Sequence, residues 1–256
     1  MRAALITLAV LALAVPAMAV DVIFADDFSG YASGTILNPD GAFVGDGPGG
    51  WGSKDTGKAN PGPFTADGAG VVSQTGMLGA QRDTTHAFNQ LVTDGQVYFH
   101  MNVKVDTPSG GYCGRFMRKD TGALIEWSNN MLKVVDGGYG NIEWIIEGRG
   151  ISGNAASVGL APVGAWHDLL LEVDFDSGTY NAWMNKTLAD VGSLGVADAS
   201  VTATHLVDGM AGFAFIEWGN APTWSLSDVN AGYVPEPATM ALLGLGGLGV
   251  LIRKRR

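Results

Sequence analysis

Residues 166–185 read Trp-His-Asp-Leu-Leu-Leu-Glu-Val-Asp-Phe-Asp-Ser-Gly-Thr-Tyr-Asn-Ala-Trp-Met-Asn. Two strand-like runs, Trp166–Phe175 and Thr179–Asn185, flank the turn signal Asp176-Ser177-Gly178. In a strand, successive side chains point to opposite faces, so each run has an apolar and a polar side. If Ser177-Gly178 forms a two-residue hairpin loop, Phe175 lies opposite Tyr180, Val173 opposite Ala182, and Leu171 opposite Met184. Asp174 then lies opposite Asn181 and Glu172 opposite Trp183. A one-residue slip would mix the two faces, so the pattern itself argues for a hairpin with one buried side. The polar side offers an aromatic plate, Trp183, ringed by Glu172, Asp174, Asn181 and Asn185, which is the composition of a sugar site. The alternative is that Trp183 merely covers an outer sheet surface or packs beneath a loop.

The same alternation recurs over Gln96–Val105, where Val97, Phe99, Met101, Val103 and Val105 interleave with Tyr98, His100, Asn102 and Lys104. Tyr98, His100 and Asn102 thereby form a second polar set and join the candidate ligand-binding residues. Further strands are expected at Val22–Phe28, Gly111–Lys119, Leu124–Ser128, Leu132–Asp136, Ile142–Glu147, Met210–Trp218 and Trp224–Tyr233. The stretch 41–70 reads as loop, with Asp46-Gly47-Pro48-Gly49-Gly50 at its heart. Ile-Glu-Trp occurs at 125–127, 142–144 and 216–218, and strand geometry puts each Ile and Trp on one face, as core. No helical periodicity of useful length competes. Many short strands with Gly-rich turns predict an all-β, antiparallel sandwich.

Composition agrees. The chain has 256 residues with 38 Gly and one Cys, which excludes a disulfide-stapled miniprotein and any multi-cysteine metal centre. Nineteen of the 25 acids are Asp, a residue suited to turns and caps rather than helix interiors. Between residues 20 and 233 there are 10 Lys/Arg against 24 Asp/Glu, a charge of −14, which argues against nucleic acid as a partner. His86, His100, His167 and His205 lack metal-ligand spacing. No Gly-x-Ser-x-Gly elbow or P-loop is present, and Cys113 falls within an expected strand as a small buried residue.

The remaining bases gather at the ends. Met1-Arg2 precedes an apolar run to Val15, Pro16 breaks it, and Ala17-Met18-Ala19 supplies small-residue cleavage signals. Residues 1–19 therefore read as a secretory signal peptide cut after Ala19. At the other end Val234-Pro235-Glu236-Pro237 precedes an apolar segment, 238–252, and the basic cluster Arg253-Lys254-Arg255-Arg256. As a helix the segment would span about 22 Å, short of the roughly 30 Å hydrocarbon core, so it would anchor only marginally. The basic tail would stay on the cytoplasmic side of the inner membrane.

This order of Pro-Glu-Pro, apolar segment and basic tail resembles the PEP-CTERM sorting signal. The resemblance implies an exosortase-type enzyme as partner, export with transient membrane anchoring facing the periplasm, and a destination at the cell surface or in an extracellular polysaccharide matrix. Residues 20–233 are left as one domain. Within it, Phe24-Ala25-Asp26-Asp27-Phe28-Ser29-Gly30-Tyr31, Trp166–Phe175 and Tyr180–Asn185 are similar to concanavalin A-like and laminin G-like jelly rolls. That resemblance implies pairing of the first strand with the last, Val22–Phe28 with Trp224–Tyr233. It leaves Asp26, Asp27 and Asp46 as candidate calcium ligands, with solvated turn acids as the alternative, and no cofactor or metal is otherwise expected. Glu172-Val173-Asp174-Phe175-Asp176 resembles the E-x-D-x-E signature of laminarinase-type glycoside hydrolases. It departs where the family carries its acid/base Glu, since Asp176 is shorter and opens a turn. The expectation is thus a non-catalytic glycan-binding module, with a structural or adhesive surface protein and a hydrolase as alternatives.

Overall fold

The computed structural model describes residues 20–39, 46–52, 64–74, 82–108, 112–119, 125–127, 131–148, 154–203, 209–218 and 222–234. The strands, in chain order, begin with β1 (Asp21–Asp26), β2 (Thr65–Ala66), β3 (Val72–Gln74), β4 (Arg82–Val92) and β5 (Gln96–Thr107). They continue with β6 (Tyr112–Lys119), β7 (Ile125–Trp127), β8 (Met131–Gly138), β9 (Asn141–Glu147) and β10 (Ala155–Pro162). The last are β11 (Trp166–Asp174), β12 (Thr179–Met184), β13 (Ala199–Thr202), β14 (Met210–Trp218) and β15 (Thr223–Val234). One sheet has the order β13-β12-β11-β5-β15-β3-β2, with β1 also on β15; the other runs β10-β9-β8-β6-β14-β4, with β7 on β6. All pairings are antiparallel, and the two sheets form a jelly-roll sandwich.

The alternation read over Gln96–Val105 explains the core. Val97, Phe99, Met101, Val103 and Val105 are all fully buried, as are Leu169 and Val173 beside them. They meet Val134, Ile142, Trp144, Phe213 and Phe215 of the opposite sheet. Phe99 and Phe213 stack face to face across the sheets, with ring centroids 3.7 Å apart. Ile142 and Trp144 are core, as the middle Ile-Glu-Trp unit requires; the side chains of the other two units lie outside the described residues. Trp144 Nε1 donates across the sandwich to His167 Nε2 at 2.7 Å, and His167 Nδ1 lies 3.1 Å from the Ala165 carbonyl. That pair of contacts selects the neutral Nδ1–H tautomer, and burial accordingly holds the His167 pKa below its usual value.

The first and last strands pair as expected, Asp21 with Tyr233 and Asp26 with Val229. β15 lies between β5 on one side and β1 and β3 on the other. It also runs one residue beyond the expected domain boundary: Val234 pairs with Gln96 and is 3% exposed. Five strands had no counterpart in the sequence reading, β2, β3, β4, β10 and β13. β2 lies in the stretch 41–70 expected as loop; β2, β3 and β13 are too short to show a period, and neither β4 nor β10 shows clean alternation of apolar residues.

The β11–β12 register needs correction. Val173, not Phe175, lies opposite Tyr180; Leu171 pairs with Ala182, Leu169 with Met184, Glu172 with Asn181, and Leu170 with Trp183. The turn holds four residues because Asp174 Oδ1 accepts from the backbone N–H groups of Asp176 and Ser177, at 2.9 and 3.0 Å. Gly178 closes it at φ +65. A shift of two preserves the faces, so the polar and apolar sides are as expected while every cross-strand partner changes.

Asp26 fixes the start of the fold. Its Oδ1 accepts from the Phe28 N–H at 2.8 Å, and its Oδ2 from the Tyr31 hydroxyl at 2.6 Å and the Trp51 indole at 2.7 Å. Phe28 is thereby held at φ +56 with its ring fully buried, while Trp51 packs against Phe24, Phe28 and Phe215. Removing the carboxylate strands three donors, so Asp26→Ala should destabilise the domain by about 2–4 kcal/mol. Chemical denaturation checks this: a midpoint equal to that of the parent would contradict the role.

Candidate functional site on the outer face of the first sheet

Apart from His167, which faces the core, the polar positions of β5, β11 and β15 and the outward residues of β12 form rows across the first sheet. In successive rows stand Gly232, Tyr98, Glu172 and Asn181; then Asn230, His100, Leu170 and Trp183; then Asp228, Asn102 and Asp168; and last Ser225, Lys104 and Trp166. The face divides into a covered half and an open half.

The cover is the segment 185–198. Asn185, at φ +55, turns the chain out of β12, and a 3₁₀ turn at Leu188–Asp190 folds it back. Thr187 and Asp190 cap that turn reciprocally, and Asp198 Oδ2 accepts from the Met184 N–H at 2.8 Å. Leu188, Val191, Leu194 and Ala197 then pack on Tyr98, Leu170, Trp183 and Val234. Trp183 points outward as its alternation required, but it is 6% exposed and donates to the Gly195 carbonyl. Its ring faces are occupied, which corrects the reading of Trp183 as an open plate. Tyr98 is also buried, and burial beside Glu172 pushes its phenol well above its usual value.

Glu172 lies at the margin of this covered half, 4% exposed, with Asn181 Nδ2 donating to Oε2 at 2.5 Å. Burial raises its pKa above the usual carboxylate range, against the opposing hydrogen bonds from Tyr98 and Asn181. Asp174 is engaged by its own turn, and Asp176 lies in the turn rather than on the strand. The three acids of the E-x-D-x-D segment therefore do not form an exposed row.

Because folding raises the Glu172 pKa, the folded state retains a proton that the unfolded chain releases. Its contribution to stability is thus lost as pH rises from the unfolded value through the raised one. Glu172→Gln keeps the shape and the Asn181 contact, so it should raise Tm relative to the parent at pH 8 and leave it little changed at pH 4. Calorimetry at both pH values tests this, and an equal shift at both would contradict the assignment.

The open half is a hydrogen-bonded strip. Asp168 Oδ1 accepts from Asn102 Nδ2 at 2.9 Å and lies 2.9 Å from His100 Nε2. Ser227, the extra residue of a β15 bulge, donates to Asn102 Oδ1 at 2.7 Å. Asn230 Nδ2 donates to Asp228 Oδ2 at 3.0 Å. His100 is buried between the two acids, with Nδ1 3.5 Å from Asp228 Oδ2, too far for a good hydrogen bond. The Asp168 and Asp228 carboxylates are 34% and 41% exposed. Trp166 closes the strip at 42% exposure, with the Lys104 ammonium 5.8 Å from its ring centroid. On the β1 side, Asp228 borders a cleft of about 530 Å³ lined also by Asp27, Ser29 and Tyr31.

Of the residues singled out from sequence, Asn102 lies in the open strip, Asn185 is exposed at its edge, and His100 is a buried organiser beneath it. Tyr98, Glu172, Asn181, Asp174 and Trp183 belong to the covered or turn-bound part. Trp166, Asp168, Ser227 and Asp228 were missed, although Trp166 and Asp168 share the alternation that placed Glu172. Both Asp26 oxygens already serve donors, Asp27 accepts from the Ser29 N–H and Oγ, and Asp46 is exposed. Among the described residues no group of three His, Cys, Asp or Glu side chains is placed to hold a metal ion.

Residues 234–256 match the PEP-CTERM protein-sorting motif. The motif marks an exosortase-sorted surface protein, exported and transiently anchored through its C-terminal region. Among the described residues no helix is long and apolar enough to cross a membrane; the helix expected at 238–252 and the signal peptide expected at 1–19 lie outside them. No curated protein matches the chain. Solved structures with a similar fold include a glycoside hydrolase family protein from Mycobacterium thermorestibile, 11% identical, covering 82% of this chain and 99% of that one at a TM-score of 0.46. They also include the CBM2 module of an evolved Dit of Lactobacillus casei BL23 phage J-1, 10% identical, covering 85% and 97% at 0.44. A sialidase is 8% identical at a TM-score of 0.49; the match covers 71% of this chain but 16% of the sialidase.

Proposed function

We propose that the sandwich is a non-catalytic glycan-binding module, carried to the cell surface or extracellular matrix by its sorting signal. The observation that carries the reading is the exposed Trp166 at the end of the Asp168–Asn102–Asp228 strip. A sugar presents an apolar ring face and a rim of hydroxyls. An exposed indole takes the first, and paired carboxylate and amide oxygens take the second. The network through His100, Ser227 and Asn230 fixes these groups before a ligand arrives, which lowers the ordering cost of binding. The domain's charge of −14 favours neutral polysaccharide over anionic polymers. Sorting to a surface or matrix would bring the strip to extracellular polysaccharide.

The absence of an exposed carboxylate row from Glu172 to Asp176 favours binding over hydrolysis, since a glycosidase must present two acids to the scissile bond. The structural or adhesive alternative differs in having no saccharide dependence at all. Trp166→Ala should reduce retention on a glycan array by at least tenfold while leaving Tm within about 2 °C of the parent. Trp183→Ala should instead lower Tm by several degrees, in keeping with loss of a buried aromatic. Retention unaffected by Trp166→Ala would contradict the site. Absence of retention by the parent would favour the structural reading, and shortened oligosaccharides would favour the hydrolase.

A further inference from the structure

The sorting match begins at Val234, and Val234 is also the last residue of β15. No spacer separates the signal from the sandwich. The end of β15 is not a free strand terminus either. Val234 pairs with Gln96, and Tyr233 pairs with Val97 on one side and Asp21 on the other. Gly232 is likewise held between Tyr98 and Val22. The Val234 side chain is 3% exposed, within the cluster of Tyr98, Leu170, Trp183 and Val191. Tyr233 adds a hydrogen bond from its hydroxyl to Asp94 Oδ1 at 2.5 Å. Packing is close here: a Cβ on Gly232 would lie 2.2 Å from Val20 Cγ1 and 3.3 Å from Leu188 Cδ1.

A processing enzyme reads its substrate as an extended, unpaired segment, and a chain held in a sheet is reached only through local opening. Pro235 and Pro237 cannot extend a hydrogen-bonded ladder, so the sheet must give up residues on the N-terminal side of the motif. We propose that the folded sandwich masks the first residue of its own sorting signal. The exosortase-type enzyme then engages this chain only before β15 has closed, or when the end of β15 frays from β1 and β5. Release from the membrane is thereby coupled to the state of the domain. Segment 185–198, which covers the outer face, is the element that sets how readily Val234 comes free.

The test inserts Gly-Ser-Gly-Ser-Gly-Val between Val234 and Pro235 in the full chain. Val234 stays in the sheet while a second, unpaired Val-Pro-Glu-Pro stands clear of it. Parent and variant are co-expressed with the sorting enzyme, and loss of the C-terminal segment is followed by intact mass. The variant should be processed at least threefold faster than the parent, with an unchanged Tm. Val191→Ala, which loosens the cluster around Val234 without touching the motif, should also speed processing while lowering Tm. Equal rates for parent and insertion variant would overturn the proposal. A slower insertion variant would overturn it as well, and would show that the enzyme reads the end of the domain together with the motif.

Discussion

The antiparallel pairing of β15 with β5 is the constraint on which the rest of the molecule depends. It spans Thr223 to Val234 and joins the centre of one sheet. β1 and β3 then add to the opposite edge of β15, and β11 adds to the opposite edge of β5. Inward, the pairing aligns Leu226, Val229 and Ala231 with Val103, Met101 and Phe99, all buried. Outward, it brings Asp228 and Asn230 beside Asn102 and His100. At its end it fixes Val234. One ladder thus supports the core, the open polar strip and the start of the sorting signal. Loss of its register would disturb all three together, because the side-chain period of a strand is two.

Much of this was legible from residues. The run from Val97 to Val105 is apolar at every second position, and burial of one face of a long strand suffices to define it. The pairing of first and last strands came from resemblance at Phe24–Tyr31 rather than from physics. The β11–β12 register was misjudged by two because Asp176-Ser177-Gly178 looked like a tight turn, whereas Asp174 accepts two backbone N–H bonds and widens it. β4 and β10 escaped notice for a different reason. Thr84, Thr85 and Phe88 are all buried in β4, and β10 is built largely from Ala, Ser and Gly, so neither follows a two-residue hydrophobic rhythm.

The candidate site shows where sequence reasoning ends. Alternation put Trp183 on the outward side of the sheet, which Trp166 shares, but it carries no information about what lies above either ring. Leu188, Val191 and Leu194, which belong to none of the expected strands, are the apolar surface that closes over Trp183. Trp166 lies beyond the reach of that segment and stays open. The distinction between a covered aromatic and an exposed one depends on contacts remote in the chain. Glu172, buried at the margin of that cover, has its pKa raised by removal from water.

The most direct measurement of the account is chemical-shift mapping of the isotopically labelled domain during titration with a soluble neutral oligosaccharide retained on the array. Ligand at the open half should move the Trp166 indole resonance and the backbone signals of Asn102, Asp168 and Asp228 together, with one saturating dependence on concentration. The Trp183 indole, beneath its cover, should not move. Shifts centred on Trp183 and Glu172, or confined to the opposite sheet, would contradict the assignment of the ligand to the Trp166–Asp228 strip.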